Sequence, residues 1–243
     1  IYDRAGVPVS YVGHPLADVF PLHPDRAAAR ELLGLGDGRK VIALLPGSRQ
    51  SEVRNLADTF ITTAKLLLAR REDITFLVPL ATRETREIFE EAMRRNEAGD
   101  LPIRMLFGHA VEAMTAADAV LVASGTASLE AALLKRPMVI TYRIGKWQYR
   151  LMKRLAYLPW VGLPNILCNE TMVPELLQED ASPDKLADAL AGWLVDAAAV
   201  ERLVERFTEL HLELRQNTAE KAAAAILPYL TGRAEWHLSK QPA

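Results

Sequence analysis

The sequence predicts an α/β fold, a doubly wound parallel sheet, and three observations carry that prediction. Short runs rich in Val, Ile and Leu alternate with helical patterns. Most of the runs are apolar nearly throughout rather than at every second residue. From residue 183 onward only helical patterns remain. A strand that is apolar on both faces must be covered on both, as in a parallel sheet lying between helices.

The strand candidates are residues 9–12, 40–45, 74–78, 103–107, 119–123 and 138–142. Residues 51–70 place Val53, Leu56, Phe60, Ala64 and Leu67 at helical spacing, one apolar stripe. A second helix is expected over 82–98. Beyond residue 183, helices are expected over 185–195, 199–215 and 218–230. The stretch "EKAAAAIL" reads as a strong helix former rather than low complexity. The closing "GRAEWHLSKQPA" has no pattern and is expected to fray. There is no internal repeat.

Composition narrows the function classes. Of 243 residues half are hydrophobic and a quarter charged, with formal net charge −2. That balance excludes nucleic-acid binding by bulk electrostatics and leaves only local basic surfaces. Cys168 is the one cysteine. It excludes an intrachain disulfide, points to a reducing compartment and reads as a small buried hydrophobe. No apolar run approaches the roughly 18 residues of a membrane-spanning helix. The opening "IYDRAGVPVSYVG" lacks an initiator Met and begins in mid-element, and is read as following a missing N-terminal part.

In open parallel sheets ligands bind beyond the carboxyl ends of the strands, and three such ends carry chemistry. In "LLPGSRQSEV", Gly47 allows a tight turn and Ser48 or Ser51 can cap the following helix. Unpaired N–H groups at that helix start, with the Arg49 guanidinium, form an anion site. A capped helix with a solvated arginine explains the stretch equally well. It is not a Walker loop, because the four-residue spacer and Gly-Lys are absent. In "DAVLVASGTASLEAALLKRPMVI", Ser124, Gly125 and Thr126 lead from strand to helix, so backbone can approach a phosphate. Glu130 lies one turn further along, where a carboxylate can accept hydrogen bonds from ribose hydroxyls. In "RMLFGHAVEAM", Phe107, Gly108 and His109 leave a strand, and main-chain groups there suit a flat base. The five histidines are scattered and no ligand spacing is visible, so no metal and no cofactor is expected.

The stretch "FGHAVEAMTAADAVLVASGTASLEAALLKRPMVITYR" resembles the nucleotide-binding half of GT-B glycosyltransferases that use UDP-sugars. "YVGHPLAD", "LLPGSRQSEV", "SGTASLEAALLKRPMVI" and "LPNILCNETMVPELLQE", at their spacing, are similar to the lipid-A-disaccharide synthase family, glycosyltransferase family 19. The resemblance runs from about residue 5 to about residue 230.

That resemblance implies a Rossmann-like domain, the C-terminal half of a GT-B enzyme with trailing helices. Residues 1–22 would connect it to a missing N-terminal domain, 23–195 would bind the UDP-sugar, and 196–243 would form C-terminal helices and a frayed tail. It implies a hexosyltransferase that moves 2,3-diacylglucosamine from its UDP derivative to 2,3-diacylglucosamine 1-phosphate. UDP leaves, the product is the β-1,6-linked lipid A disaccharide, and the anomeric centre inverts. The UDP-sugar is substrate, not cofactor.

Carried residue by residue, Gly47, Ser48 and Arg49 would lie at the diphosphate, with Arg49 stabilising the leaving group. Ser124, Gly125 and Thr126 would approach the phosphates, Glu130 would hold the ribose, and the Phe107–Gly108 backbone would meet the uracil. Asn165 of "LPN" falls in a block typical of the family and joins the substrate-binding set. The general base is expected on the missing half. His14 of "VGHP" reads as a hinge or structural residue, and the fragment alone is expected to be inactive.

Residues 142–160 contain Arg143, Lys146, Arg150, Lys153 and Arg154 and no acidic residue. As a helix they would place Lys146, Arg150, Lys153 and Arg154 on one side, with Trp147 and leucines beside them. That suits a membrane interface with anionic head groups, and an ordinary core helix with a basic face fits as well. The expected partners are UDP-diacylglucosamine, acylated glucosamine phosphate and the cytoplasmic face of a membrane. Nucleic acid is not expected, and a homodimer is a candidate assembly. Two other readings stay open: another UDP-sugar enzyme (a peptidoglycan-precursor transferase or a UDP-N-acetylglucosamine epimerase) and a non-catalytic nucleotide- or membrane-binding module.

Overall fold

Six parallel strands in the order β3-β2-β1-β4-β5-β6 form the sheet of this computed structural model, which describes residues 6–7, 9–36, 38–145, 149, 154 and 158–230. The strands are β1 (Lys40–Leu45), β2 (Ile74–Leu80), β3 (Ile103–Phe107), β4 (Ala119–Ala123), β5 (Met138–Tyr142) and β6 (Glu175–Leu177). All of β2 and β4 is buried, as is β1 after its first residue. Their side chains alternate between two cores, Val41, Ala43 and Leu45 facing one and Ile42 and Leu44 the other. This is why these strands read as continuous apolar runs.

Helices α3 (Gln50–Arg70), α4 (Arg83–Arg95) and α8 (Pro183–Val195) cover one face. Helices α1 (Pro15–Val19), α2 (Arg26–Leu32), α5 (Ala110–Ala116), α6 (Thr126–Leu133) and α9 (Ala197–Leu214) cover the other. A short α7 (Leu163–Cys168) precedes β6, and α10 (Thr218–Leu230) follows α9. The predicted α/β doubly wound class is the one found. Of the C-terminal helices, α8 and α9 belong to the layers themselves, α9 sending Leu203, Phe207, Leu210 and Leu214 into the same core as α6, whereas α10 buries no residue.

The strand expected over 9–12 is not there. Val9 and Tyr11 are 51% and 62% exposed, and the segment joins no sheet. Its alternation of apolar and small polar residues imitates a strand without any edge to pair with. Instead, His14 donates its N–H to the Leu214 carbonyl at 2.9 Å and its Nδ1 accepts from Leu16 N–H, capping α1. Asp18 accepts from the N–H groups of Asn217 and Thr218 at 3.0 and 2.7 Å; the Thr218 hydroxyl first, then these N–H groups, hold its carboxyl below the usual carboxylate range. Residues 13–18 are thus clasped to the junction of α9 and α10, in keeping with a structural role for His14.

Under the sheet, Lys135 and His211 form a buried polar contact. The His211 Nε2 donates to the Ala17 carbonyl at 2.8 Å, so its Nδ1 faces the Lys135 ammonium, which also donates to the Leu133 carbonyl. Burial, then Arg136 and Arg215, brings Lys135 down to about 8.

Candidate functional site

The strand order reverses between β1 and β4: β2 and β3 lie outside β1, β5 and β6 outside β4. A crevice opens at such a reversal, because the connections on its two sides run in opposite directions. The register sets Leu45 beside Val122, so the turns leaving the two strands stand side by side. Between them lies a cleft of about 430 Å³. Its walls come from Gly47, Ser48, Arg49 and Glu52 after β1, residues 79–81 at the end of β2, Gly108 after β3, and residues 123–127 with Glu130 after β4.

The β4 wall is open to a ligand. Gly125, at φ 154° and ψ −163°, has a conformation that a side chain strongly disfavours, and a Cβ there would meet nothing within 4 Å. Thr126 and Ala127 start α6, where N–H groups have no carbonyl one turn back. Neither donates to any described residue. Ser128 Oγ donates to the Gly125 carbonyl at 2.7 Å, pinning the turn from below. Glu130 is half-buried, burial raises its carboxyl above the ordinary value, and its carboxylate has no partner among the described residues. An unpaired acceptor facing a cleft is free to take a ligand's hydroxyls.

The β1 wall is different. Neither Ser48 nor Ser51 caps α3; the helix starts after Arg49, whose side chain accepts nothing. Glu52, at the third helical position, accepts the N–H groups of Ser48 and Arg49 at 3.0 and 3.2 Å and the Arg49 Nη1 at 2.9 Å. The N–H groups expected to be free are therefore occupied by the chain's own carboxylate. A Cβ on Gly47 would lie 2.4 Å from the Glu52 Cβ, so glycine at 47, with φ 124°, makes room for that arrangement. Glu52 escaped the reading of the sequence, although an acid three residues into a helix is a recognisable capping signal.

The remaining expected residues divide. Gly108 lines the cleft but gives its N–H to the Leu80 carbonyl at 3.0 Å, so its N–H is not available to a ligand. Phe107 is 64% exposed and is not among the cleft-lining residues. Ser124 lines it, with N–H and Oγ tied to the carbonyls of Thr141 and Val161. Asn165 does not reach the cleft. Fully buried, it donates to the Val173 carbonyl and Glu175 Oε1 and accepts from the N–H groups of Met172 and Val173. All its hydrogen-bonding capacity is spent on joining α7 to β6, which corrects its assignment to the substrate. His109, at φ 55°, starts α5 beside Glu112. The thiol of half-buried Cys168 is pushed up by burial, away from reactivity.

Among the described residues no group of His, Cys, Asp and Glu could hold a metal, and no helix is long and apolar enough to cross a membrane. Of the basic stretch, Lys146, Trp147, Arg150 and Lys153 lie outside the described residues; Arg154 is exposed. Arg143 is committed inward, to the Gln178 carbonyl and Thr59 Oγ1.

A family model described as lipid-A-disaccharide synthetase matches residues 1–227. The lipid-A-disaccharide synthase of Azoarcus sp. (strain BH72) is 76% identical over 234 residues, covering 96% of this chain and 60% of its own length. That of Aromatoleum aromaticum (strain DSM 19018 / LMG 30748 / EbN1) is 72% identical over 243 residues, 100% of this chain and 62% of its own. The chain thus spans about three-fifths of the length of these relatives. Among solved structures, a UDP complex of S. aureus MnaA aligns over 92% of this chain and 55% of its own, with TM-score 0.60 and 12% identity. The C-terminal domain of a group 1 glycosyl transferase (LpcC) from Francisella tularensis aligns over 84% of this chain and all of its own, with TM-score 0.57 and 17% identity. At such identities the likeness is one of fold.

Proposed function

This chain belongs to the lipid-A-disaccharide synthetase family, and from that premise we propose that it forms the donor side of a UDP-sugar transferase acting on acylated glucosamine. The substrates are UDP-2,3-diacylglucosamine and 2,3-diacylglucosamine 1-phosphate. The acceptor hydroxyl oxygen bonds to the sugar's anomeric carbon from the face opposite UDP. The bond from that carbon to the diphosphate oxygen breaks, and its electron pair leaves with UDP. The hydroxyl proton passes to a base expected on the N-terminal part of the full-length protein.

The observation that carries this reading is the pairing, in one cleft, of an open helix start at Gly125–Thr126 with the unpartnered Glu130. Diphosphate and ribose are joined in the ligand at about the distance of one helical turn, which is the spacing from Thr126 to Glu130. Negative charge grows on the leaving diphosphate as the glycosidic bond breaks, and preset N–H dipoles stabilise it without reorganising. Arg49, exposed and bordering the same cleft, can add its guanidinium to that charge. The UDP bound to S. aureus MnaA, a protein of like fold, supports a uridine nucleotide here.

The acyl chains of both substrates place the reaction at a membrane surface. The exposed Arg154 and the basic composition of its segment suit anionic head groups on the cytoplasmic face. One experiment tests both parts: full-length protein, both substrates in anionic vesicles, product analysis, and sedimentation of the enzyme with the vesicles. Disaccharide and UDP formed in equal amounts by vesicle-bound enzyme are expected. Turnover of a different UDP-sugar with no disaccharide would overturn the reading.

A further inference from the structure

The turn after β1 is built to receive an anion and already holds one. Three donors converge on the Glu52 carboxylate: two backbone N–H groups at 3.0 and 3.2 Å and the Arg49 guanidinium at 2.9 Å. Backbone N–H pairs and a guanidinium are also the donors that take a phosphate group. The carboxylate lies on the cleft wall with its side chain 18% exposed, on the same cavity as Thr126 and Glu130. With Glu52 docked, the ionisable residues lining the cleft are two carboxylates and one guanidinium, and that guanidinium is engaged. Such a lining repels a diphosphate. The same lining becomes receptive once Glu52 turns outward and frees three donors at once.

We propose that Glu52 is an internal competitor for the nucleotide's diphosphate, docked on the 47–49 turn, displaced when the nucleotide binds and redocking as it leaves. The inference rests on the nucleotide reading above and adds to it a residue that sets how tightly the product is held. Binding through a state populated in only a fraction of molecules weakens apparent affinity by that fraction, so a turn about nine-tenths docked costs about tenfold. Redocking gives the departing UDP a rival for the same donors. The Arg49 partner is exposed, so its ion pair with the half-buried Glu52 is open to water on one side and weak enough to be exchanged.

Calorimetry on the full-length protein with UDP and with uridine, comparing wild type with Glu52→Gln and Glu52→Ala, tests this. Both variants should bind UDP about threefold to tenfold tighter, the scale of a competitor removed, with uridine affinity unchanged and UDP dissociation slowed by a similar factor in stopped flow. UDP affinity that is unchanged or weaker in both variants overturns the inference and makes Glu52 a brace for the turn. Weakening of UDP and uridine alike, the sign of a disturbed fold, overturns it too. A wild-type protein that binds neither ligand overturns the nucleotide reading itself.

Discussion

The turns after β1 and β4 are written alike, a buried strand, a small glycine-centred turn and a helix with one acid in its first two turns, yet they do opposite things. After β1 the acid folds back: Glu52 takes the turn's own N–H groups and sits over Gly47. After β4 the acid points onward: Glu130 is left without a partner among the described residues, and a side chain at Gly125 would meet none of them within 4 Å. The difference comes from position along the helix. Glu52 is the third residue of α3 and can reach the N–H groups at its start. Glu130 is the fifth residue of α6, two positions further along, and does not reach back. Two turns of similar wording thus become a self-filled wall and a receptive one.

The contrast breaks most severely at Gly125. Gly125→Val forces a branched side chain into a backbone conformation costing about 1–3 kcal/mol and pushes it into the cleft where the diphosphate is proposed to bind. We expect calorimetry to show no measurable UDP binding, with a lowered melting temperature. Next comes Glu130→Ala, which should weaken UDP by roughly 1.5–3 kcal/mol, the scale of hydrogen bonds to a charged group. Unchanged affinity would leave the β4 wall without its ribose contact. Asn165→Ala gives the complementary outcome. Four lost hydrogen bonds should lower stability by about 2 kcal/mol or more in denaturant titration, while UDP affinity stays within about twofold of wild type.

The smallest effect lies at the far end of α6, where Lys135 follows the helix into the core. Its folded value of about 8 is below the 10.5 of a free lysine. As pH rises from 8 to 10.5 the folded chain therefore releases its proton first, and folding stability increases across that window. His211, also lowered by burial, acts in the same sense at acid pH: its contribution is lost as pH falls below the ordinary histidine range. Melts at pH 7.5 and 9.5 should show a gain on the order of 1 kcal/mol in the wild type relative to Lys135→Met. An identical pH response in both proteins would remove Lys135 as its source.

What the sequence disclosed follows from which constraints are local. Parallel strands buried on both faces announce themselves as apolar runs, so β1, β2, β4 and β5 were legible. The edge strand β6 is three half-buried residues whose first is Glu175, and nothing in its pattern marks a strand. Its position is set by distant partners: it pairs with β5, and its carboxylate receives the N–H groups of Val161 and Gly162. Helix α2 is short, and its tie is also remote, Arg26 meeting Asp118 at 2.8 Å. Within the site, Gly125 and Glu130 could be placed because strand, turn and helix are contiguous. Glu52 was missed although its place as the third residue of α3 is a local signal, whereas Asn165 was credited with a substrate contact that its buried neighbours, set only by the fold, claim instead.

The clasp between residues 13–18 and 211–218 has a consequence for the architecture of the gene rather than of the site. His14 and Asp18 meet the backbone of Leu214, Asn217 and Thr218 across nearly two hundred residues of chain. The stretch that enters the sheet and the stretch that leaves it therefore share one seam. A circular permutant that joins these two stretches by a short linker and reopens the chain in an exposed turn such as 99–100 keeps every strand pairing. A chain cut before α9 loses that seam together with four side chains of one core, so the sheet and α9 are expected to be inherited as a unit.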